Sequence, residues 1–381
     1  MDFGWTEEQE RYRESVLRFA ERELQSDVGE RDEQCEFSRE SWRRCAAFGI
    51  QGLPVPEAYG GQGADPLTMV VALEALGYAC PDAGLLFSLG AQMWSCEIPI
   101  LRFGTEAQRQ RYLPGLCDGT LIGVQAMSEP DSGSDAFSLS ATAVPSGDGY
   151  ALTGSKTFIT NAPVADLFVV FARLEGGDGI GGVTAFLVER GTPGLSVGPP
   201  MRKMGLRTSP MAEVALTGCV VPADALLGGP GSGAAVFTTS IDWERGMMLA
   251  PALGTMQRQL EACVRHARER RQFGQPIGKF QAVSSRIVDM AVRLETSRLL
   301  IYRLAWVRGE KRRPLFESAL TKLHVSESLV QSSLDALQVH GGAGYLVETG
   351  LERDVRDAIG SRIYSGTSEI QRAIVARGLG L

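Results

Sequence analysis

The apolar residues of this 381-residue chain change their period twice, and that pattern limits the folds open to it. Near the start, Tyr12, Val16, Phe19 and Ala20 fall on one helical face. In the middle third, strand-like runs take over at 150–160, 167–174, 184–189 and 211–221. Gly and Pro clusters separate these runs, and no helical pattern lies between them, which points to an antiparallel β domain. Beyond GGPGSG at 228–233, Leu249, Leu253, Met256, Leu260 and Cys263 recur at helical steps. The expected fold class is therefore α+β. A length of 381 residues suits two to three domains. We divide the chain into residues 1–120 (helical), 121–230 (β) and 231–381 (helical).

Local signals sharpen this plan. Thr6-x-x-Gln9 and Thr105-x-x-Gln108 are capping boxes, so helices should start there. The Gly/Pro-rich stretch from Pro54 to Pro66 reads as a loop. Pro251 lies inside the stripe that begins at Leu249, and a kink is expected at that point. A long helical block over 280–337 has one clear stop, at Pro314.

Composition removes several functions. Lys plus Arg is 38 and Asp plus Glu is 45, a net charge of −7. A nucleic-acid binder would need a basic face. The apolar stretch over 69–80 is broken by Glu74, short of the about 18 to 20 residues that span a membrane. The acidic start MDFGWTEEQE has no signal-peptide pattern. The seven cysteines are scattered without a CxxC pair, and there are three histidines. Neither a disulfide framework nor a metal site is expected, and the thiols read as buried residues of a cytoplasmic protein.

Five motifs carry the chemistry: MSEPDSGSD at 127–135, GSKTFITNA at 154–162, ERRQFGQPIGKFQ at 269–281, QVHGGAGY at 338–345 and IYSGTSEIQR at 363–372. The serine loop can offer N–H and O–H groups to a ring edge or a pyrophosphate. Phe158 and Thr160 alternate with their neighbours, so both point to one side of a strand. An arginine such as Arg270 can pair with a diphosphate. Gly341 and Gly342 let backbone approach a ligand closely, and they can also end a helix. His340 reads as a packed rather than a catalytic residue.

In this order the five motifs resemble the acyl-CoA dehydrogenase family of flavoproteins over essentially the whole chain. The resemblance implies FAD as cofactor and a four-helix bundle in the C-terminal part. It places Gln125, Met127, Ser128, Ser134, Phe158 and Thr160 around the flavin, with Ser134 also near the substrate. It assigns Arg270, Phe273, Gln281, Gln338, Gly341, Gly342, Thr367 and Glu369 to the cofactor as well. The contacts of the ERRQFG motif typically cross a subunit interface, and a homotetramer is implied.

The family's reaction removes a proton α to a thioester, and the β-hydride goes to the flavin. The site needs a carboxylate base and donors to the thioester oxygen. Many members carry the base as Glu in Tyr-Glu-Gly-Thr. This chain has Tyr364-Ser365-Gly366-Thr367, and a serine without a partner base cannot abstract the proton. Other members hold the glutamate earlier, and Asp242-Trp243-Glu244-Arg245 matches them. The resemblance thus makes Glu244 the base, with Asp242, Arg245, Ser365 and Gly366 toward the substrate. A first-turn glutamate favoured by the helix dipole is the plainer reading of that residue.

The segments 84–104, 128–139 and 284–300 resemble a subgroup of assembly-line biosynthesis whose substrates ride on a carrier protein. A prolyl thioester oxidised toward pyrrole is the leading implication. A catabolic acyl-CoA dehydrogenase and a non-catalytic FAD-binding partner in a heteromeric enzyme are the alternatives. Electrons could pass to an electron-transfer flavoprotein or to oxygen.

Overall fold

Each apolar period folds as the element it implies in a computed structural model that describes residues 4–310 and 314–381. Seven helices come first: α1 (Glu7–Glu23), α2 (Val28–Gln34), α3 (Arg39–Phe48), α4 (Pro66–Ala79), α5 (Ala83–Gln92), α6 (Ile98–Phe103) and α7 (Glu106–Cys117). Both capping boxes form. Gln9 N–H donates to Thr6 Oγ1 over 3.2 Å, and Gln108 N–H to Thr105 Oγ1 over 3.2 Å. Val16, Phe19 and Ala20 are buried, so the first stripe faces the core. A single π-helical turn, Met93–Glu97, joins α5 to α6.

The middle part is one sheet built from β1 (Gly123–Ala126), β2 (Thr142–Ser146), β3 (Gly149–Thr160), β4 (Leu167–Leu174), β5 (Val183–Glu189), β6 (Leu195–Val197), β7 (Met211–Pro222) and β8 (Leu226–Leu227). The strand order is β6-β7-β3-β2-β4-β5-β8, with β1 beside β4. Most pairings are antiparallel; β1–β4 and the short β2–β4 contact are parallel. β4 reads LFVVFARL without alternation because both of its faces are covered. Phe168, Val170 and Ala172 pack inside the sheet domain. Leu167, Val169 and Phe171 pack instead with Ile100 of α6 and Leu113 of α7.

The last part holds α8 (Gly233–Met247), α9 (Ala250–Glu269), a small hairpin of β9 (Arg271–Gln272) and β10 (Gln275–Pro276), then α10 (Gln281–Gly309), α11 (Leu315–His340), α12 (Leu351–Gly360) and α13 (Ser368–Gly378). Helices α9, α10 and α11 pack on one another, and α8 lies along α11. Pro251 does not kink a helix. It sits in the first turn of α9, just after α8 has ended, where its missing N–H costs nothing. That turn presses on α4: a Cβ on Gly77 would stand 2.0 Å from the Pro251 carbonyl oxygen. Among the described residues no helix is long and apolar enough to cross a membrane, and no His/Cys/Asp/Glu group could hold a metal ion.

Candidate active site

Glu244 stands in the last turn of α8, not the first. The helix dipole disfavours a carboxylate there, so dipole stabilisation does not explain the residue. The turn is pinned by aromatic and charged contacts. Trp243 stacks on Trp94 with ring centres 5.6 Å apart, and the Arg308 guanidinium lies 4.4 Å above the Trp243 ring.

Both carboxylate oxygens of Glu244 are engaged. Ser365 Oγ donates to Oε2 over 2.7 Å. Ser95 Oγ, from the π-helical turn, donates to Oε1. Burial pushes the Glu244 pKa up, while the two serine hydroxyls and the nearby Arg245 charge pull it down. Tyr364 packs its ring 4.6 Å from that of Phe87 on α5, and burial raises its pKa as well. Ser365 has φ +54° and Gly366 φ +88°. Gln371 Nε2 holds this turn by donating to the Ser365 and Gly366 carbonyls at 3.1 and 2.9 Å.

The other residues expected near the substrate divide. Arg245 is buried beside Glu244, and its Nε has no hydrogen-bond partner among the described residues. Asp242 turns away. Its side chain accepts from Ser318 Oγ at 2.9 Å and from Arg308 Nη1 at 3.5 Å, so it locks α8 to α10 and α11.

The flavin-edge residues come from the sheet. Gln125 on β1 bonds Ser240 of α8 at 3.0 Å, one helical turn before Glu244. The Met127 carbonyl accepts from Lys156 Nζ at 3.2 Å, and Lys156 pairs with Glu129 at 2.6 Å, both side chains buried. The Ser128 carbonyl accepts from the Thr157 N–H at 2.9 Å. Ser134 is exposed; Ser132 is buried and spends its hydroxyl on the Asp135 carbonyl at 2.7 Å. Phe158 is exposed and Thr160 half-buried, while Thr157 and Ile159 are buried. Phe158 is not plain strand, however. It has φ +57° at a register break between β3 and β7, and its ring is 63% exposed.

A second group lies elsewhere. Arg270, Phe273, Gln281, Gln338, Gly341 and Gly342 are all exposed, where α9 and α11 end and α10 begins. Phe273 is 92% exposed. His340 packs its ring 4.4 Å from that of His266 and bonds the Ala336 carbonyl at 2.8 Å. Gly341 ends α11 with φ +58°. Lys322, which feels the Arg245 charge, lies eighteen residues before His340 on α11, about 27 Å at 1.5 Å per residue. Thr367 and Glu369 belong to the Glu244 side: Thr367 caps α13, accepting from the Ile370 N–H at 3.4 Å, and Glu369 sits in the first turn.

Two contributors have no signal of their own in the sequence, Ser95 and Ser240, while Glu129 and Lys156 lie inside motifs whose pairing no spacing announces. Ser95 does fall inside the segment 84–104 that carries part of the subgroup resemblance, but nothing in its spacing announces a π-turn.

With this geometry in hand, comparison with known proteins defines the class. Models of the acyl-CoA dehydrogenase N-terminal, middle and C-terminal domains match residues 6–120, 124–219 and 231–380. The chain belongs to the acyl-CoA dehydrogenase family. It is 43% identical over 381 residues to an L-prolyl-[peptidyl-carrier protein] dehydrogenase of a Serratia species, covering 100% of this chain and 99% of that one. Among solved structures it is similar to the prolyl acyl carrier protein oxidase AnaB, at 47% identity and a TM-score of 0.98, over 99% of this chain and 100% of that one. It also matches PigA with FAD and proline, at 42% identity and a TM-score of 0.98, over 100% of both chains.

Proposed function

We propose that the protein is an FAD-dependent dehydrogenase of an acyl thioester, acting on a prolyl group tethered to a carrier protein and oxidising it toward pyrrole. One observation carries the chemistry: the enclosed Glu244 carboxylate faces the Tyr364–Gly366 turn where other members keep their base. The substrate reading is supported by the carrier-protein dehydrogenases and oxidases that resemble the chain from end to end.

The residues present fit the cofactor. Phe158 offers an exposed ring. A Cβ would meet nothing within 4 Å at Gly133, Gly341 or Gly342, which leaves open backbone for close approach. Gln125, Met127, Ser128, Ser134, Phe158, Thr160, Thr367 and Glu369 would hold the flavin end, and Arg270, Phe273, Gln281, Gln338, Gly341 and Gly342 the other end from a second copy. FAD, when bound, supplies the acceptor for the β-hydride.

This chain's own residues handle the proton. Glu244 takes the α-proton, its basicity raised by burial. Arg245 moderates that rise. The backbone N–H of Ser365 or of Gly366 polarises the thioester oxygen. Residues 1–120 and 121–230 wall the site, and residues 231–381 supply the base and the contacts of a homotetramer. The enzyme works in the cytoplasm, with an electron-transfer flavoprotein or oxygen as acceptor.

Anaerobic bleaching of the flavin tests the reading. L-prolyl-loaded carrier protein should bleach it, and a panel of short, branched and long acyl-CoAs should not. Bleaching by a single acyl-CoA alone would replace the tethered substrate with a catabolic one. No bleaching by any thioester would favour a non-catalytic subunit.

A further inference from the structure

We infer that Ser95 is a positioning residue: its hydroxyl and that of Ser365 grip the two oxygens of the Glu244 carboxylate from separate elements, fixing its orientation and favouring its charged form. The inference rests on the reading of Glu244 as the base.

The π-helical turn is what brings Ser95 there. An i→i+5 turn adds one residue to the helical path, which rotates the later side chains by about 100° around the axis. The side chains of the turn then go three ways. Ser95 meets Glu244. Cys96 packs where a Cβ on Gly123 would be 2.4 Å from its sulfur. Glu97 accepts from Gln92 Nε2 at 2.8 Å. Gln92 also donates to the Leu116 carbonyl at 2.9 Å and accepts from the Gly123 N–H at 2.9 Å. The turn is thereby tied to α7 and β1, and Ser95 has little freedom to leave.

The second grip comes from a turn fixed independently. Ser365 sits at φ +54°, and Gln371 holds the carbonyls of both Ser365 and Gly366. A carboxylate has about four lone-pair sites, so two hydroxyls leave room for an arriving proton. Neutral donors also favour the anion without the full charge of an ion pair.

Few other groups compete. On α8, Asp242 is committed to Arg308 of α10 and Ser318 of α11, while Arg245 lies next to Glu244. Lys322 of α11 stands behind Arg245 and is pushed down to about 8 by burial. On the π-turn, Glu97 is pushed up to about 8 by burial, against the pull of its hydrogen bond from Gln92. Cys96 is raised by burial, and Tyr364 likewise stays neutral.

The test is the pH dependence of anaerobic flavin bleaching by L-prolyl-loaded carrier protein, using Ser95→Ala, Ser95→Thr and Ser365→Ala holoenzymes. A base works only when deprotonated, and losing a donor raises its pKa. The rising limb should therefore move up by about one pH unit in Ser95→Ala and in Ser365→Ala. Ser95→Thr, which keeps the hydroxyl, should restore it. Infrared difference spectra against Glu244→Gln, taken without substrate, should show the same displacement of one carboxyl group. An unmoved limb in both alanine variants, with flavin content kept, overturns the inference. If Ser95→Ala loses its flavin, Ser365→Ala and the spectra decide. Full activity in Glu244→Gln would instead remove the base assignment itself.

Discussion

The two ends of the site are built in opposite ways. Around Glu244, three segments distant in sequence close on one carboxylate, and each donor is fixed by bonds behind it. Around Arg270 and Phe273, at the end of α9 and the small hairpin, the side chains stand in the open, and Phe273 meets Phe280 edge-on at 5.9 Å. The first arrangement is preorganised within the chain, which suits the proton transfer proposed for it. The second is open to solvent, which suits the contact proposed to the cofactor of a neighbouring copy.

The sharpest way to break this contrast is to weaken the preorganised end from behind. Lys156→Ala would leave Glu129 buried without its cation and the Met127 carbonyl without its donor. We expect a loss of about 3–5 kcal/mol in denaturant unfolding, together with loss of flavin. Retained stability would mean that the pair is incidental. Asp242→Asn should be a smaller change of the same kind. It leaves Arg308 without its carboxylate, costs about 1–3 kcal/mol and raises the unfolding rate, while KM for the carrier-bound substrate stays put. A pure KM effect would return Asp242 to the substrate.

Arg270→Ala should behave in the reverse manner. The exposed residue contributes little to the fold, so Tm should hold. Flavin titration of the apoprotein should show about tenfold weaker binding, the loss of one charge-assisted pair. A changed Tm with unchanged flavin affinity would place Arg270 in structure rather than in the cofactor site.

The same contrast explains how much the sequence discloses. The pattern of β4 is legible at both ends because a strand buried on both faces is an uninterrupted apolar run. β1 has four residues and β2 contains Pro145, so neither offers the alternation that marks a strand. Their parallel contacts to β4 depend on tertiary packing that no local period encodes. Pro251 reads as a kink because the stripe runs on past it. The break between α8 and α9 falls where α4 needs close backbone contact, which the packing of Gly77 and Gly254 discloses. At the site, Glu244 and Ser365 are legible together, because Ser365 stands where many members carry a glutamate and Glu244 is where others hold theirs. Ser95 is not, since its role depends on a π-turn held by Gln92. The contacts of Asp242 are hidden for a related reason. Residues two apart on a helix face different ways, and Asp242 meets Arg308 and Ser318 where Glu244 meets the two serines.

The central claim is that Glu244, in the last turn of α8, is the base. The direct measurement is the anaerobic flavin-bleaching rate of a Glu244→Gln holoenzyme with L-prolyl-loaded carrier protein. The amide keeps the shape and can still accept from one serine. The account predicts normal flavin content and a bleaching rate lower by about a thousandfold or more. A rate within about tenfold of the wild type, with the flavin retained, would contradict it.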